Sequence, residues 1–359
     1  MTDNSNTTKT PSPKPGSPKS PDRSPGPSPP GPGNLLAAEI VDDDDDRDSA
    51  LGDNDSLNST ESVSSSILEY RIIKGRTYHS ERHGSSYYAP NDERQNASAD
   101  ITHHYLTLLL EGKLFLAPIK KDVKRVLDIG TGTGIWAIDF ADEYPHAEVT
   151  GTDLSPTQPS WVPPNVQFEI DDATQPWTWD EGTFDFVHLR YLFGSIADWT
   201  QLFKEAFRVC APGGWIESGE AEPVVTSDDG TVKPGSAMET WGRLFVESGE
   251  KIGRSFKVIS EDVQRKGMEA AGFVDIQTVQ YKIPMSGWTA DPKLAEVGRY
   301  VRLTVENDME GYSTFLWNNV LEWPADEHQI FLMSSRKELK DRTIHPYFTA
   351  QYVYGRKPE

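Results

Sequence analysis

Three glycines at alternate positions interrupt the stretch VLDIGTGTGIWAIDF, residues 126–140, and separate a short apolar run from an amphipathic one. A strand that passes into a helix through so bare a backbone lets a ligand approach the main chain closely, and it commits the chain to an α/β architecture. Glycine spacing alone says little about which ligand, because several chemistries use such loops.

The surrounding pattern continues the alternation. Residues 125–129, 148–152, 166–170, 184–189 and 214–218 read as strands, with helical sequence over 135–143 and 199–209. Such an order predicts a doubly wound, mostly parallel sheet covered by helices on both faces, with ligands bound outside the carboxyl ends of its strands. An earlier helix is expected over 100–111, where Ile101, Tyr105, Leu108 and Leu109 recur at helical spacing and Gly112 provides a stop. Towards the C-terminus, ISEDVQRKGMEAAGF ends a helix near Gly272, VDIQTVQYKIPM follows as a strand, and HPYFTAQYVYGRK alternates aromatic and β-branched residues as a final one. Between them, residues 291–342 read as a largely helical, tryptophan-bearing cap over the strand ends.

Composition shifts sharply before the first strand. Residues 10–33, TPSPKPGSPKSPDRSPGPSPPGPG, cannot bury enough apolar surface to offset ordering entropy, and the five aspartates from Asp42 repel one another. The chain is therefore divided into a disordered arm over 1–66, a helical lead-in over 67–120 and a globular domain over 121–359 whose cap spans about 288–342. Ser-Pro and Thr-Pro steps at Thr10, Ser12, Ser17, Ser20, Ser24 and Ser28 suit proline-directed kinases, although a solubilising tail accounts for the same composition.

Charge and cysteine content narrow the function classes. The formal net charge is −21, of which the arm carries −7, so the rest of the chain carries −14 and repels a phosphate backbone; direct nucleic-acid binding is not expected. A single cysteine, Cys210, allows neither an intrachain disulfide nor a cysteine-rich zinc site. No apolar run approaches the ~20 residues that span a bilayer, and an intracellular location, nuclear or cytoplasmic, is expected. HSERH, beginning at His79, fails the H-E-x-x-H zinc pattern, and His103 and His104 are adjacent on a helix and diverge, so no metal is expected.

The loop has the form G-x-G-x-G, with Gly130, Gly132 and Gly134 preceded by Asp128, and departs from the G-x-G-x-x-G of hydride-transfer enzymes. It is the form expected for the S-adenosylmethionine loop of class I, Rossmann-like methyltransferases. Asp153, at the end of the second strand, can accept hydrogen bonds from both ribose hydroxyls, and Asp172, after the third, can accept from an adenine amino group. Each feature has a structural account as well: a tight turn, a helix cap, a solvated carboxylate. Their coincidence at the ends of three consecutive strands points to a nucleoside cofactor.

The residues also resemble a known family. Besides the loop, GTDLSPTQPSWVPPNVQFEIDDATQPW, FDFVHLRYLFGSIADW, APGGWIE, AAGFVD and DRTIHPYFTAQYVYGRKP look like the fungal LaeA-like methyltransferases, over a span from about Tyr78 to the C-terminus. The resemblance implies an S-adenosylmethionine-dependent methyltransferase related to a regulator of fungal secondary metabolism, a nuclear partner of velvet proteins. The lineage also contains paralogues associated with biosynthetic gene clusters. By the same resemblance the cofactor motif falls on Asp128, Gly130, Gly132, Gly134, Asp153 and Asp172. The arm is not part of the match.

Methyl transfer from a sulfonium needs alignment of the acceptor and exclusion of water more than a protein nucleophile. His188, in FVHLRYLFG after the fourth strand, is the candidate base, against the alternative of a satisfied structural histidine. Tyr88, Arg190, Tyr191 and Trp288 are candidate acceptor contacts. Two functions stay open: a regulator that methylates itself or a protein partner, and an enzyme acting on a small metabolite. A cofactor-binding protein without turnover is a third.

Overall fold

The computed structural model describes residues 70–80 and 87–359 together with Met1; apart from Met1, the arm expected over 1–66 lies outside the described residues. In chain order, a two-stranded hairpin, β1 (Arg71–Ile73) and β2 (Arg76–Tyr78), precedes helix α1 (Glu93–Leu109). Strand β3 (Arg125–Ile129), α2 (Ile135–Glu143), β4 (Glu148–Asp153), β5 (Val166–Ile170), β6 (Phe184–Arg190) and α3 (Trp199–Val209) then alternate. β7 (Cys210–Thr226), α4 (Ala237–Ile252), α5 (Val263–Ala271) and β8 (Val274–Pro284) lead into α6 (Pro292–Thr314), a π-helical segment (Phe315–Val320), α7 (Ala325–Lys340) and β9 (Tyr347–Arg356).

The seven-stranded sheet has the order β5-β4-β3-β6-β7-β9-β8, parallel through β7 and antiparallel at β9 and β8. The order reverses at β3 and β6, so the switch-point crevice opens at the carboxyl ends of these two strands, where the glycine loop begins. Both faces of the sheet are covered, which is why β3 reads as an almost unbroken apolar run. Leu127 and Ile129 pack under α3 with Phe203 and Val209, and Val126 packs under α2 with Trp136 and Phe140. A third apolar cluster joins α1, α4, α6, the π-helical segment and α7 around Trp241, Phe245 and Trp317.

Two local readings needed correction. The helix expected over 100–111 starts seven residues earlier, because Asp92 caps α1 by accepting from the Gln95 N–H at 3.2 Å, a polar signal that apolar periodicity does not register. It also stops before Gly112: Glu111, at φ 59°, takes the left-handed position, while the Glu111 and Gly112 N–H groups bond back to Leu108 and Thr107. The strand expected over 214–218 is 17 residues long, since β7 leaves its parallel partner β6 and continues along β9. Cys210 starts this strand fully buried, its thiol pushed up to about 12 by burial, in keeping with a core side chain.

Candidate active site

The parallel register of β3 and β6 sets Asp128 directly opposite His188, so both side chains leave the sheet on one face. Asp128 accepts from the Thr131 hydroxyl at 2.6 Å and contacts His188 Nδ1 at 2.7 Å. The imidazole lies flat on Trp136, ring centroids 3.7 Å apart. Burial lowers the pKa of His188 despite the carboxylate beside it, and its Nε2 has no hydrogen-bond partner among the described residues.

The three glycines do different work. Gly132 has φ +58° and a Cβ there would meet nothing, so the backbone borders open space. At Gly134, φ +79°, a Cβ would lie 2.3 Å from Phe168 Cζ; the residue starts α2 and lets it sit close over β5. Gly130 and Gly132 line a cavity of about 150 Å³ together with Asp153 and Asp172, whereas Gly134 does not reach it. Its expected place against the cofactor is corrected to a packing position.

Half-buried Asp153 accepts from the Gly132 N–H at 2.8 Å and the Ser155 N–H at 3.1 Å, and burial raises its pKa. Buried Asp172 accepts from the Thr174 N–H and hydroxyl at 2.9 and 2.7 Å. Two carboxylates at neighbouring strand ends, with Gly132 leaving its stretch of backbone open beside them, fit a nucleoside carrying hydroxyl and amino donors.

A second cavity, about 230 Å³, shares Gly130, Gly132, Thr133, Tyr87 and Tyr191 with the first, so the two meet along the loop. Tyr88, Arg190, Tyr191 and His188 all line it. Arg190 donates to His103 Nδ1 at 3.0 Å, and Tyr191, at φ 59°, pairs its hydroxyl with that of Tyr105 at 3.0 Å. Trp288 lines neither cavity: its indole donates to the Pro346 carbonyl at 3.0 Å and packs on His345, so it is corrected to a structural contact. Glu217 and Glu220 are fully buried and accept from backbone, Glu217 from the Leu116 and Ala117 N–H groups and Glu220 from that of Phe193.

Several cavity residues were missed by sequence reasoning. Trp241 and Phe245 sit on α4, whose signal was present: Ser236 caps the helix at the Glu239 N–H, and Glu239 reaches back to Gly235, an S-x-x-E start before an amphipathic run. Gln95 and Thr304 carry no signal that would have singled them out. Among the described residues no cluster of three or more histidine, cysteine, aspartate or glutamate side chains is arranged to hold a metal, and no helix is long and apolar enough to cross a membrane.

Comparison with known proteins agrees with this geometry. The methyltransferase domain family matches residues 101–278. Methyltransferase pytC of Aspergillus terreus is 39% identical over 314 residues, 87% of this chain and 95% of that protein. Secondary metabolism regulator LAE1 of Cochliobolus heterostrophus is 34% identical over 79% of this chain and 94% of its own, and protein-methionine methyltransferase laeA of Emericella nidulans 32% identical over 81% and 77%. With relatives of this likeness across most of its length, and a switch-point cavity that fits their cofactor, the chain belongs to the LaeA-like family of S-adenosylmethionine-dependent methyltransferases.

Proposed function

We propose that this methyltransferase acts in secondary metabolism on a small acceptor held between the sheet and the cap. The observation that carries the proposal is the aromatic cavity bounded by Tyr88, Trp241 and Phe245, which meets the nucleoside cavity along Gly130 and Gly132. Aromatic side chains gathered on one cavity of this size take a compact apolar molecule.

In this reading Asp153 holds the ribose hydroxyls, Asp172 the adenine amino group, and the backbone at Gly130 and Gly132 lies along the cofactor. Bound S-adenosylmethionine supplies an electrophilic methyl group on a sulfonium whose sulfur departs neutral. The protein's own residues supply position and dryness: Asp128 ties Thr131 of the loop to His188 of β6, and Tyr87 and Tyr191 border both cavities. Replacing Asp153 by alanine should weaken cofactor binding at least ~10-fold, since charge-assisted hydrogen bonds contribute ~1.5–3 kcal/mol each. Calorimetric titration checks this, and unchanged affinity would remove Asp153 from the site.

The acceptor class is tested by incubating the full chain with methyl-labelled S-adenosylmethionine and a cell extract. Label in small organic compounds is expected; label confined to protein would overturn the small-acceptor reading. A second reading, a regulator working in the nucleus through velvet-type partners, is favoured by the relatives named as secondary metabolism regulators and by Ile330 and Met333, 64% and 68% exposed on one side of α7. Loss of a velvet-type partner on Ile330→Glu, with turnover intact, would support it.

A further inference from the structure

Part of the wall of the smaller cavity does not come from the doubly wound sheet. Beside Gly132, Asp153 and Asp172, the cavity is lined by His79, Ala89, Pro90, Asn91, Asn96 and Ala99. All six precede residue 101, where the methyltransferase domain match begins. His79 follows β2, Ala89 to Asn91 precede α1, and Asn96 and Ala99 stand on the first two turns of that helix. Hydrogen bonds fasten this lead-in to the loop and to a strand end. Asn91 Nδ2 donates to the Ser155 hydroxyl at 3.1 Å, and Asp153 accepts from the Ser155 N–H. The Thr133 hydroxyl, in the glycine loop itself, donates to Asp100 of α1 at 2.7 Å.

The two shares of the wall differ in chemistry. The strand ends present carboxylates, which take the hydroxyl and amino donors of a nucleoside. The lead-in presents mostly apolar surface. Ala89, Pro90 and Ala99 have no polar side-chain atom, and His79 has none to spare. Its Nε2 accepts from the Tyr87 N–H at 2.7 Å, which puts the ring proton on Nδ1, 2.7 Å from the Ser80 carbonyl oxygen. Burial lowers the pKa of this imidazole and keeps it neutral. With both nitrogens taken by the main chain, the ring can offer the cavity only carbon. A purine is divided in the same way, into a polar edge and two flat apolar faces.

We infer, resting on the assignment of Asp153 and Asp172 to the cofactor above, that the lead-in is the second half of the cofactor site: His79, Ala89, Pro90 and Ala99 cover the purine ring whose amino group Asp172 holds. Asn91 is a positioning residue, which ties this half to Ser155 beside the ribose carboxylate. Residues from 101 onward carry the glycine loop and both carboxylates, but none of this apolar cover. Cofactor affinity is therefore divided between segments that are distant in sequence, and the bound cofactor holds the lead-in against the loop.

Hydrogen exchange of the full chain with and without S-adenosylhomocysteine tests this. A ligand that touches both halves slows the opening of both, by up to ~100-fold at a concentration about 100 times its Kd. The amides of residues 87–92 are expected to slow at least ~10-fold alongside those of 130–134, and more than those of α7, which lines neither cavity. Protection confined to the loop and strand ends, or spread equally over α7, would overturn the inference and leave the carboxylate assignment standing. A second measurement fills the space from the lead-in side. Ala99→Phe should weaken S-adenosylhomocysteine at least ~10-fold in calorimetric titration by overpacking the cavity, whereas Ala99→Ser should bind as the unaltered chain does. Unchanged affinity in an Ala99→Phe chain that still unfolds cooperatively would overturn the inference. If S-adenosylhomocysteine gives neither heat nor protection anywhere on the unaltered chain, the cofactor assignment falls with it.

Discussion

Gly134 shows how one residue type can serve a loop for different reasons along three positions. A methyl group there meets Phe168 at 2.3 Å on a backbone at φ +79°, so Gly134→Ala combines overpacking with left-handed strain. A loss of roughly 2–4 kcal/mol follows, and a melting temperature equal to that of the unaltered chain would refute the packing role. Gly132→Ala faces open space and should cost only about 1 kcal/mol of strain. Glu220 belongs to the same scale. Burial pushes its carboxyl up to about 8, and that of Glu217 up to about 7. A folded-state pKa above the unfolded value means that the folded chain binds the proton more tightly, so stability is full below the ordinary carboxylate range and declines as pH rises towards about 8. Glu220→Gln keeps an oxygen for the Phe193 N–H and removes the charge. The unfolding free energy of this variant should match the unaltered chain near pH 4 and exceed it near pH 9, with a difference on the order of a few kcal/mol. No divergence between the two pH–stability curves would contradict the buried-charge account.

At the scale of elements, one arginine joins three of them. Arg76 of β2 pairs with Asp92, the cap of α1, and with Asp308 of α6 at 2.8 Å. The Asp308 side chain is fully buried, its backbone departs from helical geometry at φ −139° and ψ 48°, and its Oδ1 also accepts from the Gly311 N–H at 3.1 Å. Removing Arg76 strands a buried carboxylate, since Arg94 reaches it only at 3.4 Å and is half exposed. Arg76→Met is therefore expected to cost ~3–5 kcal/mol, and adding Asp308→Asn should restore part of the loss. Absence of that rescue in a double-mutant comparison of unfolding midpoints would mean the pair is not coupled. Nothing in RIIKGRTY announces this joint, because the hairpin is short and its partners lie 16 and 232 positions away. Helix α4 differs: its S-x-x-E start and amphipathic run are legible in the sequence, and Trp241 and Phe245 of the larger cavity stand on it.

Across the whole molecule the charge of −21 governs encounters with other polyanions. Fluorescence anisotropy with a short DNA duplex at about 50 mM salt, where counterion release is strongest, should show no binding; a salt-sensitive complex would contradict the charge argument. The alternation of strands and helices, the G-x-G-x-G loop and the acidic strand ends were legible because each depends on neighbours in sequence: periodicity sets the elements, and the crevice of a doubly wound sheet follows from their order. The same linear information placed Asp128, Gly130, Gly132, Asp153 and Asp172 at strand ends. Tertiary structure alone decided that Asp128 faces His188 across two strands 60 positions apart, that Gly134 packs on Phe168 rather than reaching the cavity, and that Trp288 stands outside it. It also decided that Gln95 of α1 and Thr304 of α6, far apart in sequence, line the same cavity as His188. Local sequence dictates backbone conformation through short-range sterics and hydrogen bonds, whereas the larger cavity is made where distant segments meet, so its lining depends on packing that no local stretch encodes.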